Sequence, residues 1–279
     1  MIIFKSIAIY YNKDKAHIKP SAEAVAAFLT EQGVKTKIYD NCEKKKVDPG
    51  TDLLISVGGD GTVLHAARGA AKQKLKIFGV NAGNLGFLTS ADLTNYKEIL
   101  SSVIRGKYSG QDLTLLTISI FKDCKYIVKE QTAFNDCVIK TSGARAFTLE
   151  MSCDGKDPQK YFGDGVIVAT PTGSTAYSLA AGGPMVAPEV DVMLVTPICP
   201  HTLAQRPLVL PGRTQIIFTP KFNKDDDYAK VSIDGQISYR VRNGDSILIS
   251  AAKHKIKLLQ AEGYDFLKTL NTKFKWGNR

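Results

Sequence analysis

An apolar run, Leu53–Val57, ends directly on Gly58-Gly59-Asp60-Gly61-Thr62, and an alanine-rich stretch, Thr62–Lys72, follows at once. A strand that turns over glycines straight into a helix belongs in a parallel sheet with helices packed on its faces. The flanking sequence repeats the unit. Ser6–Tyr11 and Val34–Tyr39 read as strands around a helix over 20–32, with Ser21 as its expected cap and Gly33 as its stop. Lys76–Asn81 reads as a fourth strand and Leu93–Ile104 as another helix. Alternation of this length predicts an α/β domain.

The pattern changes after about residue 105. Thr114–Phe121, Tyr126–Glu130, Asp136–Ser142, Thr148–Cys153, Gly165–Ala169, Gln215–Thr219, Lys230–Ile233 and Ser246–Ser250 read as strands punctuated by Gly, Asn and Asp turns. An all-β domain is expected, interrupted by a helix-prone segment at Ser174–Ala181 and a shorter one after His201. Phe266–Trp276 fits either a helix or an extended tail. The expected division is therefore 1–105 for an α/β domain with a parallel sheet, 106–262 for an all-β domain, and 263–279 for a tail packing back on the first.

Composition narrows the class. The longest apolar runs are short, whereas a membrane span needs about 20 apolar residues. The N-terminus starts a strand-like run with no cleavage pattern behind it, so a cytoplasmic location is expected, with no membrane partner. The five cysteines include no Cys-x-x-Cys spacing, which argues against a disulfide framework or a zinc site. The net charge is +10, but it is scattered. Lys44–Lys46 is the only run of three, so small anionic substrates fit better than a nucleic acid, which favours a clustered basic face.

Four stretches carry candidate chemistry. In Gly58-Gly59-Asp60-Gly61-Thr62, glycines at a strand end let the backbone N–H groups approach phosphate, and the following helix adds its positive end. Thr62 is an expected helix cap. Asp60 would repel a phosphate and so needs a different reason to be there; helix capping is the plain alternative. Neither a P-loop nor a Gly-x-Gly-x-x-Gly turn occurs. After the fourth strand, Asn81-Ala82-Gly83-Asn84-Leu85-Gly86-Phe87-Leu88 offers the amide of Asn84 and the ring of Phe87. Asn135-Asp136 opens a strand of the β part with donors and acceptors suited to a sugar. The run Gly163-Asp164-Gly165 through Thr170-Pro171-Thr172-Gly173-Ser174-Thr175-Ala176-Tyr177 gathers hydroxyls and free N–H groups at a strand end.

Taken together, and with Pro200-His201-Thr202-Leu203 and Ser232-Ile233-Asp234-Gly235-Gln236 following in order, these stretches resemble the NAD kinase family. Gly-Gly-Asp-Gly-Thr alone is shared with lipid kinases and, more loosely, phosphofructokinases; the long Thr-Pro-Thr-Gly-Ser-Thr-Ala-Tyr run is what points to NAD kinases. The resemblance implies an α/β domain joined to a β-sandwich domain, with ATP and NAD as substrates and inorganic polyphosphate as a further possible donor. It also implies Mg²⁺ carried on substrate phosphates, and assembly as a homodimer or homotetramer. Asp60 would orient and deprotonate the 2′-hydroxyl of the adenosine ribose, with Gly58, Gly59 and Gly61 against phosphate. Asn135 and Asp136 would bind ribose; many relatives carry Glu at the second position, so Asp136 is one methylene shorter. Thr175, Ala176 and Tyr177 would line the adenine and ribose pocket, Asp164 and Asp234 would lie near the nicotinamide end and the ribose, and Phe87 would pack on a nucleotide.

Rival readings differ in what they require. A lipid kinase with the same glycine loop needs an apolar acceptor pocket or a membrane-facing surface, and no amphipathic basic helix of that kind is evident. A non-catalytic dinucleotide sensor would keep the pocket and lose the base, but Asp60 is present. A nucleic-acid binder would show steep salt dependence.

Overall fold

The computed structural model describes residues 1–40, 47–71, 73–83 and 86–275. Lys44–Lys46, Cys42, Asn84 and Trp276 lie outside the described residues. The chain forms two compact units, Met1–Leu113 with Ile256–Arg279, and Thr114–Lys255.

The first unit opens with β1 (Ser6–Tyr10), α1 (Lys19–Glu31), β2 (Lys35–Tyr39), β3 (Leu53–Val57), α2 (Asp60–Ala71), β4 (Lys76–Asn81), β5 (Ala91–Asp92), α3 (Tyr96–Val103) and β6 (Ser109–Leu113). Every residue of β3 is buried, as expected of a central strand covered on both faces. Ile7, Ile9, Leu53, Ile55 and Val57 share a core with Val25 and Leu29 of α1 and Leu100 and Val103 of α3. On the opposite face the Tyr10 hydroxyl meets His65 Nδ1 of α2 at 2.8 Å.

Two helix starts differ from the sequence reading. Ser21 lies inside α1, whose first turn carries a proline and has no side-chain cap; a proline needs no N–H partner there. The third helix begins at Tyr96 rather than Leu93 because the Asp92 carboxylate takes the N–H groups of Thr94 and Asn95, a local turn that competes with helix.

The second unit holds β7 (Leu116–Lys122), β8 (Lys125–Ala133), β9 (Asp136–Thr141), β10 (Phe147–Cys153), β11 (Gln159–Gly163), β12 (Gly165–Ala169), α4 (Tyr177–Ala180), β13 (Val192–Ile198), β14 (Leu208–Pro211), β15 (Ile216–Lys221), β16 (Ala229–Ile233), β17 (Ile237–Val241) and β18 (Asp245–Ala251). They form two antiparallel six-stranded sheets, ordered β11-β10-β15-β18-β7-β8 and β14-β13-β12-β9-β16-β17. Leu149, Phe218 and Ile247 of one sheet share a core with Ile139, Val168 and Val231 of the other, so the sheets pack face to face as a β-sandwich. The outer face of the second sheet has its own small core of Val138, Ile167, Ala169, Leu194 and Ile198, against which Ala181 and Val186 pack. The helix expected after His201 is absent; that stretch is turn and bend, with the His201 ring edge-on to Phe162 at 5.0 Å.

The chain then returns to the first unit as β19 (Ile256–Gln260) and α5 (Phe266–Phe274). The first sheet is ordered β2-β1-β3-β4-β19-β6, with β5 on β4. β19 runs parallel to β4 and antiparallel to β6. The expected boundaries at 105 and 262 therefore differ from those of the compact units, because β6 and β19 pair with each other and belong to the first sheet. Among the described residues no helix is long and apolar enough to cross a membrane, and Cys124, Cys137, Cys153 and Cys199 are unpaired thiols.

Candidate functional site

In the first unit, β3 and β4 are adjacent and parallel, so their carboxyl ends open on the same edge, where open α/β sheets bind ligands. Their loops are tied together: Gly58 N–H donates to the Val80 carbonyl at 2.9 Å. Gly58 has φ +150°, and a Cβ there would lie 2.4 Å from Thr62 Oγ1. Thr62 is buried within the first turn of α2, its hydroxyl oxygen has no partner among the described residues, and it does not cap the helix as expected. The Thr62 and Val63 N–H groups go instead to the Gly59 carbonyl.

Asp60 opens α2 but does not spend its carboxylate on that helix. Oδ2 accepts from the Phe87 N–H at 2.9 Å and Oδ1 from the Leu88 N–H at 3.0 Å. A side chain at Gly86 would overlap the same carboxylate. Asn81 Oδ1 accepts from Gly83 N–H at 2.7 Å, and the Thr89 hydroxyl accepts from Gly86 N–H at 3.2 Å. The second loop is thus folded against the first around Asp60. Lys273 of α5 completes the group, its Nζ 3.4 Å from Asp60 Oδ2 and 4.1 Å from the centroid of the Phe87 ring. The same ring meets Phe274 and Phe266 with centroids at 5.6 and 6.4 Å. Nothing in the reading of the sequence singled out Lys273. The only available signal was a lysine in an amphipathic tail.

In the second unit, Asp234 sits in a turn at φ +49° and turns its carboxylate onto the backbone of Phe134–Asp136. Its Oδ1 accepts from Phe134, Asn135 and Asp136 N–H at 3.1, 2.7 and 3.2 Å, and its Oδ2 from Phe134 N–H at 3.0 Å. Asp234 therefore shapes the Asn135–Asp136 corner. Asp136 is only 5% exposed. Burial, and secondarily the charge of Asp234, push its carboxyl up to about 7.

The long polar run folds onto the same corner. Thr170 N–H donates to the Asn135 carbonyl at 2.9 Å, and its hydroxyl donates to the Phe134 carbonyl at 2.7 Å. A Cβ on Gly173 would come within 2.1 Å of the Asn135 carbonyl oxygen, so only glycine permits this approach. Thr172–Thr175 form a 3-10 turn and Ala176 leads into α4. The Ser178 hydroxyl bonds that of Thr196 at 2.8 Å. Thr175 and Ala176 are partly exposed and Tyr177 is 41% exposed. Asp164 is half-buried, its backbone joined to Ile198 and Thr141. Of the residues singled out by sequence, the first unit gathers Gly58, Gly59, Asp60, Gly61, Thr62 and Phe87, and the second gathers Asn135, Asp136 and Asp234 beside the turn carrying Thr175–Tyr177.

Comparison with known proteins agrees in both halves of the chain. The family described as ATP-NAD kinase N-terminal domain matches residues 8–108, and that described as ATP-NAD kinase C-terminal domain matches residues 134–261. An NAD kinase of Geotalea daltonii is 34% identical, covering 99% of this chain and 100% of that protein. One from Koribacter versatilis is 42% identical over 82% of this chain and 79% of its own length. Among solved structures, yeast NADH kinase complexed with NADH superposes with a TM-score of 0.85 at 26% identity, covering 99% of this chain and 89% of that one. An NAD kinase from Archaeoglobus fulgidus in complex with ATP gives 0.77 at 25% identity, covering 97% and 98%.

Proposed function

The chain belongs to the ATP-NAD kinase family and is an ATP-dependent NAD kinase, and we propose that Asp60 is the residue through which it moves the γ-phosphate of ATP to the 2′-hydroxyl of the adenosine ribose of NAD, giving NADP. One observation carries the assignment. The carboxylate stands at the carboxyl ends of β3 and β4, held by two backbone N–H groups from the neighbouring loop, and is not used to cap its own helix. A carboxylate has about four acceptor positions, so it can still take a hydrogen bond from a ribose hydroxyl. As that oxygen bonds to phosphorus, its proton passes to Asp60, and the electrons of the breaking P–O bond leave with ADP. The transition state is loose, so orientation of the hydroxyl and stabilisation of charge do most of the work.

The N–H groups of Gly59 and Gly61 are assigned to the donor phosphates, while Gly58, whose own N–H goes to the Val80 carbonyl, shapes the turn against them. Asn135 and Asp136 are assigned to ribose hydroxyls, and Asp234 to holding those two residues in register and lying near the dinucleotide. Thr175, Ala176 and Tyr177 are assigned to adenosine, and Asp164 to the nicotinamide end. Mg²⁺ would neutralise charge on the phosphates. Such an ion takes most of its ligands from phosphate and water, and this suits a chain in which, among the described residues, no three His, Cys, Asp or Glu side chains cluster. A homo-oligomer and a cytoplasmic location belong to the same reading; light scattering and cell fractionation check them. The deciding assay uses purified protein, Mg²⁺, ATP and NAD, with NADP read by a coupled dehydrogenase. Labelled phosphate appearing on diacylglycerol and not on NAD would overturn the assignment.

A further inference from the structure

The first unit has a cation at the same strand ends, supplied by its last helix. Leu270 is buried and fixes α5 to the unit, while Asp265 caps the helix by accepting from the Leu267 and Lys268 N–H groups. Lys273 lies three residues past Leu270, a spacing that leaves both on neighbouring parts of one helix face. Its side chain is only 22% exposed. The ammonium is held between Asp60 Oδ2, at 3.4 Å, and the Phe87 ring, at 4.1 Å. The ring is itself fixed by Phe266 and Phe274.

An exposed lysine–aspartate pair contributes little to stability, and Asp60 already has two backbone donors. A lysine gathered in from water over an aromatic face is instead a charge positioned in advance, the arrangement that stabilises developing negative charge without reorganisation. Among the described residues its ammonium donates to Asp60 alone, and an ammonium has three donors. The glycine turn at Gly58–Gly61 immediately precedes and enters the same helix as Asp60. A phosphoryl group poised there lies within reach of both side chains.

We propose that Lys273 is a catalytic residue that donates to the non-bridging oxygens of the phosphoryl group in flight, while Asp60 takes the ribose proton. This rests on the reading of Asp60 given above. The 2′-oxygen forms the new bond to the γ-phosphorus. The bond from that phosphorus to the β,γ-bridging oxygen breaks, and its electron pair goes to ADP. Lys273 forms and breaks no covalent bond and loses no proton; it balances charge on the three equatorial oxygens, where the loose transition state spreads it.

The test compares wild type, Lys273→Met, Lys273→Arg and Asp60→Asn in steady-state kinetics with ATP, NAD and Mg²⁺. Lys273→Met is expected to lower kcat by about 10²-fold, with KM for NAD within about threefold and the melting temperature little changed. Lys273→Arg is expected to recover at least about tenfold of that loss, because it restores a cation. Turnover of Lys273→Met within threefold of wild type, beside a collapsed Asp60→Asn, would sink the role of Lys273 and leave that of Asp60 intact. So would a loss that Lys273→Arg does not relieve, accompanied by equal weakening toward both substrates, since that marks a structural prop. An Asp60→Asn variant keeping half the wild-type kcat would remove the reading beneath it.

Discussion

Replacing Asp136 by Asn should stabilise the protein at alkaline pH and weaken its hold on NAD. The carboxyl is buried beside Asp234, and burial first, then that charge, raise it from an ordinary 3.8 to about 7. The fold therefore prefers the protonated form. Its contribution to stability is complete below about pH 4 and is lost as the pH climbs through about 7. At roughly 1.4 kcal/mol per tenfold change in proton affinity, the penalty for carrying the charge at pH 8 is at most about 4 kcal/mol. Relaxation around the site lowers what a variant recovers, and we expect about 2 kcal/mol. For a domain the size of the second unit this is a rise in melting temperature of roughly 4–8 °C. At pH 5 only about a third of that penalty has built up, because the unfolded chain gives up its proton from about 3.8 upward, so the gap between the two proteins should shrink to about a third. Thermal melts of wild type and Asp136→Asn at both pH values measure this directly. Equal melting at pH 8, or a larger gap at pH 5, would refute the reasoning. Calorimetry should show the opposite trend for NAD, with a loss of about tenfold or more at pH 8, the value of a hydrogen bond to a charged acceptor.

Other perturbations probe the two units separately. Asn135→Ala is expected to weaken NAD binding in calorimetry with little change in melting temperature, because the Asn135 side chain is partly exposed. Gly173→Ala forces a methyl group to within 2.1 Å of the Asn135 carbonyl; we expect a stability loss of about 1–3 kcal/mol, visible in urea denaturation, together with weaker NAD binding. Chelation by EDTA is expected to abolish turnover and leave the melting temperature unchanged, since among the described residues no protein cage for the ion exists; a fall of several degrees would point to a structural metal.

Much of the fold was legible because its strands are short, apolar and bounded by strong turn signals. Lys76–Asn81 and Gly165–Ala169 were read with the observed limits. The misses have local causes. Val192–Ile198 forms a central strand of its sheet, yet Pro197 within it argues against a strand to any reading by propensity. Ile256–Gln260 is five residues long and takes its identity from β4 and β6, which a local window cannot see. The candidate site shows the same division. Its residue types followed from motif order, whereas their duties did not. Asp60 reads from sequence as a helix cap or a base, and only the fold reveals that it grips Phe87 and Leu88. Asp234 reaches Asn135 across 99 positions of chain. Thr62 and Ser21 were expected to cap helices and do not, because backbone carbonyls and a proline already meet those needs.

The place of β19 separates the order of synthesis from the order of folding. The strand between β4 and β6 is translated only after every strand of the sandwich. On the ribosome, the first sheet thus waits with a slot open and an apolar edge uncovered until the chain beyond Lys255 is made. A release or a stop shortly after Lys255 would strand that edge permanently, and it would be a ready template for aggregation.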